Sequence, residues 1–157
     1  MTGERITGGC QCGAVRYAIA GPLITPSICH CRMCQKAFGA FYAPLVGAKR
    51  PDFALTRGKL AIFASSDLAE RGFCRDCGTP LTYDYLPGDE INVSIGSLDD
   101  PSIARPIVQF GIEGRLPWIG ELDDLPAHAT ETEEIRYAEI RRSNHQHPDH
   151  DTRDWPA

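Results

Sequence analysis

Seven cysteines stand at positions 10, 12, 29, 31, 34, 74 and 77, in three tight groups separated by long stretches of chain. Whatever those thiols hold must draw distant segments together, so the groups constrain the fold before any strand is assigned. The odd count, the tight grouping and the absence of an apolar segment in MTGERITGGCQCG fit a disulfide framework poorly. Reduced thiolates gathered around metal fit better, and the expected compartment is the cytoplasm.

A chain of 157 residues suits one domain. With 15 Gly and 12 Pro, many turns and short strands are expected. Sixteen basic against 21 acidic side chains leave a formal charge of -5, which argues against nucleic acid as a partner. No apolar run approaches the roughly 20 residues of a membrane span, so no membrane partner is expected.

The segments at 14–19 (AVRYAI), 41–48 (FYAPLVGA), 52–55 (DFAL) and 60–65 (LAIFAS) read as short strands. RGFCRDCGTPLTYDY reads as a strand, a knuckle and a returning strand, and INVSIGSL and PIVQFGI add two more. About eight strands, a helical turn around Arg32 to Ala37 and no long crossover helix predict an all-β, mainly antiparallel body over residues 1–127. Residues 128–157 form a charged, histidine-containing tail: TETEEIRYAEIRR offers Glu-to-Arg pairs for a short helix, and SNHQHPDHDTRDWPA reads as poorly ordered. There His145, His147 and His150, with Asp149 and Asp151, are expected to be solvated and incidental.

Cys74 and Cys77, followed by Gly78, have the spacing of a zinc knuckle. Cys10 and Cys12, if extended, share one strand face and can approach the same ion. The two pairs would close a structural four-cysteine site fastening the start of the domain to its middle. Cys29, Cys31 and Cys34 combine a strand-spaced with a knuckle-spaced pair, with no obvious fourth protein ligand. Three protein ligands and an open position are what catalytic zinc requires. Spacing alone leaves two other arrangements open: a metal shared with Cys74 or Cys77, and an iron–sulfur cluster with an open corner. His30 between two of these cysteines reads as a packing or ligand-supporting residue, and Arg32 and Lys36 as anion-attracting or simply solvated.

GGCQCGAVRY at 8–17, CHCRMCQKAFGAFYA at 29–43, RGFCRDCGTPLTY at 71–83, INVSIGSLDDP at 91–101 and LPWIGELDDLP at 116–126 resemble, in order and spacing, the glutathione-dependent formaldehyde-activating enzyme family, also called the Gfa or CENP-V type. The resemblance implies an Mss4-like β-tent fold and two zinc ions per chain, a structural one on Cys10, Cys12, Cys74 and Cys77 and a catalytic one on Cys29, Cys31 and Cys34. It implies a carbon–sulfur lyase of the S-(hydroxymethyl)glutathione synthase kind, with glutathione as co-substrate and formaldehyde or a related aldehyde as its partner. Three thiolates make zinc a weak Lewis acid, which favours thiol capture over carbonyl polarisation. Arg32, Lys36, Arg50 and Arg71 are the candidates, by charge and proximity, for holding the glutathione carboxylates. The competing expectation is a non-enzymatic zinc module of the same fold that binds a protein.

Overall fold

The computed structural model describes residues 5–129 and 135–155. Ten strands form two sheets among them, which confirms the all-β, mainly antiparallel class. β1 (Ile6–Gly9), β2 (Arg16–Ile19) and β5 (Phe53–Arg57) make a three-stranded antiparallel sheet with β2 at its centre. The remaining strands are β3 (Ile24–Cys29), β4 (Ala43–Lys49), β6 (Ala61–Ser66), β7 (Ala69–Phe73), β8 (Pro80–Tyr85), β9 (Glu90–Ser94) and β10 (Val108–Phe110). They form a seven-stranded sheet in the order β10-β3-β4-β9-β8-β7-β6. Tyr17 and Ile19 of the small sheet share one core with Val46, Leu81 and Val93 of the large one. Burying five such side chains contributes on the order of 1.5–3 kcal/mol each.

Two strands, β1 and β3, go beyond the eight read from sequence, and β10 pairs with β3 in parallel. The sequence of β3, ITPSIC, hides its strand character because Pro26 cannot donate to a ladder. The pairing accommodates this with an irregularity between Ile24 and Ser27, where Thr25 takes φ +43°. INVSIGSL is strand only to Ser94, after which Ile95–Ser97 winds into a 3-10 turn. The expected helical turn is α1 (Arg32–Phe38), ended by Gly39 in the left-handed conformation. Among the described residues no helix is long and apolar enough to cross a membrane.

The charged segment contains a helix, α2 (Ile135–Arg142), while residues 130–134 of the expected helix lie outside the described part. Residues 146–155 correct the expectation of a loose tail, because they lie against the small sheet. His147 is buried, its amide donates to the Gln11 carbonyl at 2.7 Å, and Trp155 Nε1 donates to the Cys12 carbonyl at 2.7 Å. Asp151 meets the buried Arg16 at 2.8 Å, and Arg57 Nη2 donates to the Thr152 carbonyl. His145 and His150 are exposed, as expected.

Candidate metal centres and a thiolate-lined cavity

Cys10 and Cys12 sit on a turn, with the Gly13 amide donating to the Cys10 carbonyl at 3.0 Å, and not on the extended strand that their spacing suggested. The turn still brings both sulfurs to one side. Cys74 and Cys77 form the knuckle between β7 and β8, where Gly78 at φ +78° lets its amide reach back to the Cys74 carbonyl at 2.9 Å. All four sulfurs lie within 4.8 Å of one another. Cys10 and Cys12 are 3.6 Å apart and Cys12 and Cys74 are 3.8 Å apart. A tetrahedron with metal–sulfur bonds of ~2.3 Å has an edge of ~3.8 Å, so the donor set fits zinc.

Electrostatics supports the same reading. Burial, reinforced by neighbouring sulfurs, pushes the Cys10 thiol up to about 12. Burial also acts on Cys77, but the Thr79 hydroxyl and amide outweigh it and draw that thiol down to about 6. Four clustered thiols cannot all ionise side by side unless a cation neutralises them. The Val15 amide, 3.2 Å from Cys10 Sγ, supplies one of the donors that thiolate ligands need.

The second group, Cys29, Cys31 and Cys34, gathers where β3 runs into α1. Cys29 ends the strand, Cys31 caps the helix with its sulfur 3.5 Å from the Cys34 amide, and Cys34 turns inward from the first helical turn. The three sulfurs lie within 4.8 Å of one another, and among the described residues no further Cys, His, Asp or Glu joins them. Cys74 and Cys77 belong wholly to the other group, so the shared-metal arrangement is excluded. Sulfurs this close suit a single ion, whereas a multi-iron cluster distributes its cysteines over different irons. Burial pushes Cys29 up to about 12, while at Cys31 the Cys34 amide and the adjoining sulfurs overcome burial and lower the thiol below its ordinary value.

Two residues hold this corner in place. The buried Gln35 donates to the His30 and Gly114 carbonyls, both at 2.9 Å. His30, almost wholly buried, packs edge-on against Tyr42 and reaches the Gln109 side chain at 2.9 Å, a packing role as read from sequence.

The three-cysteine group opens into a cavity of about 350 Å³ whose walls include Leu45, Ser65, Arg71, Tyr83, Asn92 and Phe110. Arg71, Tyr83 and Asn92 form one cross-strand row over β7, β8 and β9, which directs them to the same face. Arg71 is 7% exposed; its Nη2 donates to Cys34 Sγ at 3.4 Å, its Nε to Ser65 Oγ at 3.0 Å, and its Cζ lies 5.0 Å from the Tyr83 ring centre. A neighbouring hollow of about 430 Å³ shares Met33, Ser65 and Arg71 and adds Arg32, Lys36 and Phe63. Arg50 spends its donors elsewhere, on Asp84 at 2.6 Å and the Gly88 carbonyl at 3.0 Å. Sequence proximity thus found Arg71 but not Tyr83 or Asn92, which reach the cysteines only through strand register.

Fold and site together define a class: all-β proteins carrying one four-cysteine and one three-cysteine cluster, each spaced for a metal ion. Residues 5–113 match the family described as glutathione-dependent formaldehyde-activating enzyme, and the chain belongs to that family. A curated relative from Schizosaccharomyces pombe, described as an uncharacterized lyase, is 31% identical over 83 residues, which is 52% of this chain and 58% of the relative. A crystal structure of a Rhodobacter sphaeroides protein, a structural-genomics target, matches with TM-score 0.51 at 24% identity, covering 66% of this chain and 98% of that one. At that identity the likeness concerns the fold.

Proposed function

We propose that the chain is a zinc-dependent carbon–sulfur lyase that joins the glutathione thiol to formaldehyde or a related aldehyde, as S-(hydroxymethyl)glutathione synthase does. The observation that carries this reading is the contrast between the two clusters: four sulfurs close around one point, while three face a cavity of about 350 Å³. Cys10, Cys12, Cys74 and Cys77 would hold a structural zinc, and Cys29, Cys31 and Cys34 a catalytic one. When bound at the trio, zinc supplies positive charge that favours the thiolate form of an incoming thiol. Leu45 and Phe110 give the cavity apolar wall, and Arg32 and Lys36, around the adjoining hollow, suit the carboxylates of a peptide thiol. Residues 1–127 would carry this activity in the cytoplasm, with 128–157 as an appended segment, and the partners would be small molecules alone.

The test is metal content together with thiol binding. Protein purified without added zinc should hold about two ions per chain under tetrahedral thiolate ligation. Cys31→Ser should lose one of them without unfolding, and glutathione should perturb the thiolate charge-transfer bands of the cobalt-substituted native protein. A single retained zinc, or a cobalt spectrum indifferent to millimolar glutathione, sinks this reading and leaves the protein-binding zinc module in its place.

A further inference from the structure

Arg71 carries an unexplained group. Its Nη1 is buried and has no hydrogen-bond partner, although Nε and Nη2 of the same guanidinium are engaged by Ser65 and Cys34. A buried donor left unsatisfied is uncommon enough to call for a partner. The side chain is 7% exposed and lines both the thiolate cavity and the hollow beside it. Ser65, the Cys34 sulfur and the Tyr83 ring fix the guanidinium plane, so the direction of the free N–H groups is set in advance.

We propose that Arg71 is a catalytic residue whose guanidinium donates to the aldehyde oxygen as the carbon–sulfur bond forms; this rests on the function proposed above. In the reaction RSH + O=CHR′ → RS–CH(OH)R′, a sulfur electron pair makes the new C–S bond and the carbonyl π pair moves onto oxygen. The proton lost by the thiol returns to that oxygen through solvent, and nothing is oxidised or reduced. The oxygen is nearly neutral in the aldehyde and anionic as the bond closes, so a fixed guanidinium donor strengthens its grip along the reaction. Depth separates its role from that of Arg32 and Lys36: those side chains are exposed and suit distant carboxylates, whereas Arg71 touches a sulfur of the trio.

The experiment compares zinc-loaded native protein with Arg71→Lys and Arg71→Ala, following thiohemiacetal formation by NMR exchange at saturating glutathione. Thiol binding to the cobalt-substituted proteins is titrated in parallel. Both variants should keep the native metal content and thiol titration curve while kcat falls by about 10²–10³, the usual cost of one oxyanion donor. Added guanidinium ion should restore part of the Arg71→Ala rate, and methylammonium should not. Weakened thiol binding with kcat intact, loss of metal in the lysine variant, or failure of guanidinium rescue each overturns the assignment. An active native protein with Arg71→Lys unimpaired overturns it alone, whereas a native protein inactive on thiol and aldehyde overturns the proposed function as well.

Discussion

Gly78 and Gly111 both hold left-handed backbone, at φ +78° and φ +61°, yet they fail differently when changed. A Cβ added at Gly78 meets nothing within 4 Å, so Gly78→Ala introduces backbone strain alone. The expected loss is about 1–2 kcal/mol of stability, with metal content preserved, measurable by thermal unfolding alongside a zinc assay. A Cβ at Gly111 runs into the Cys31 backbone at 2.7 Å, so Gly111→Ala should additionally displace the trio and weaken glutathione binding to cobalt-substituted protein. A Gly78→Ala variant that lost metal, or a Gly111→Ala variant with native thiol binding, would contradict this division. The first role was legible because the glycine follows its knuckle directly. The second was hidden, since the residue it presses on lies in another part of the chain and only the parallel pairing of β10 with β3 brings them together.

At the scale of elements, the tail over the Cys10–Cys12 turn depends on a neutral histidine. Arg57 Nη1, which can only donate, lies 3.4 Å from His147 Nε2, and the Thr152 hydroxyl lies 2.9 Å from the same nitrogen. That nitrogen must accept, leaving Nδ1–H to donate to the Pro148 carbonyl at 2.6 Å. Burial lowers the His147 pKa and the Arg16 and Arg57 charges lower it further, while the Pro148 carbonyl and Asp99 oppose them incompletely. A depressed folded-state value means the tail's contribution is complete above the unfolded pKa of about 6.5 and is lost as pH falls from there through the folded value. Trp155 fluorescence should therefore report loosening below about pH 6.5 in native protein, with a shallower response in His147→Gln. Equal pH profiles for the two proteins would remove His147 from this role. Nothing in SNHQHPDHDTRDWPA signals such docking, because the tail's partners, Gly13, Arg16 and Arg57, lie 90 or more residues earlier in the chain and carry no mark of awaiting it. Polar composition measures what a segment cannot bury by itself; it is silent on a prepared surface elsewhere in the fold.

Across the whole molecule the two clusters fasten different distances. The trio spans six residues between β3 and α1, whereas the quartet links sulfurs 62 positions apart and joins the small sheet's β1–β2 turn to the large sheet's β7–β8 knuckle. The clusters were legible as candidates because the cysteines group at ligand spacing, but spacing left their partition open, and the resemblance of the surrounding motifs, not spacing, pointed to the family. The two-sheet arrangement was not legible, because strand order depends on pairings between distant segments that local alternation cannot rank. Closing a loop of that length stabilises a fold by roughly 4 kcal/mol on chain-entropy grounds, while the trio's short loop confines far less of the unfolded chain. The quartet has two closed-off members, Cys10 at 3% and Cys74 at 1% exposure, while the trio opens to its cavity. A chelator titrated into zinc-loaded protein should therefore withdraw the metal in two phases. The first ion should leave with the far-UV circular dichroism intact, and the second should leave with cooperative unfolding. Cys74→Ser should retain only weak metal binding at the quartet and melt well below the native protein, in contrast to a Cys31→Ser variant that stays folded. Release of both ions in one phase, or a Cys74→Ser protein as stable as Cys31→Ser, would show that the quartet does not bear the stability of the fold.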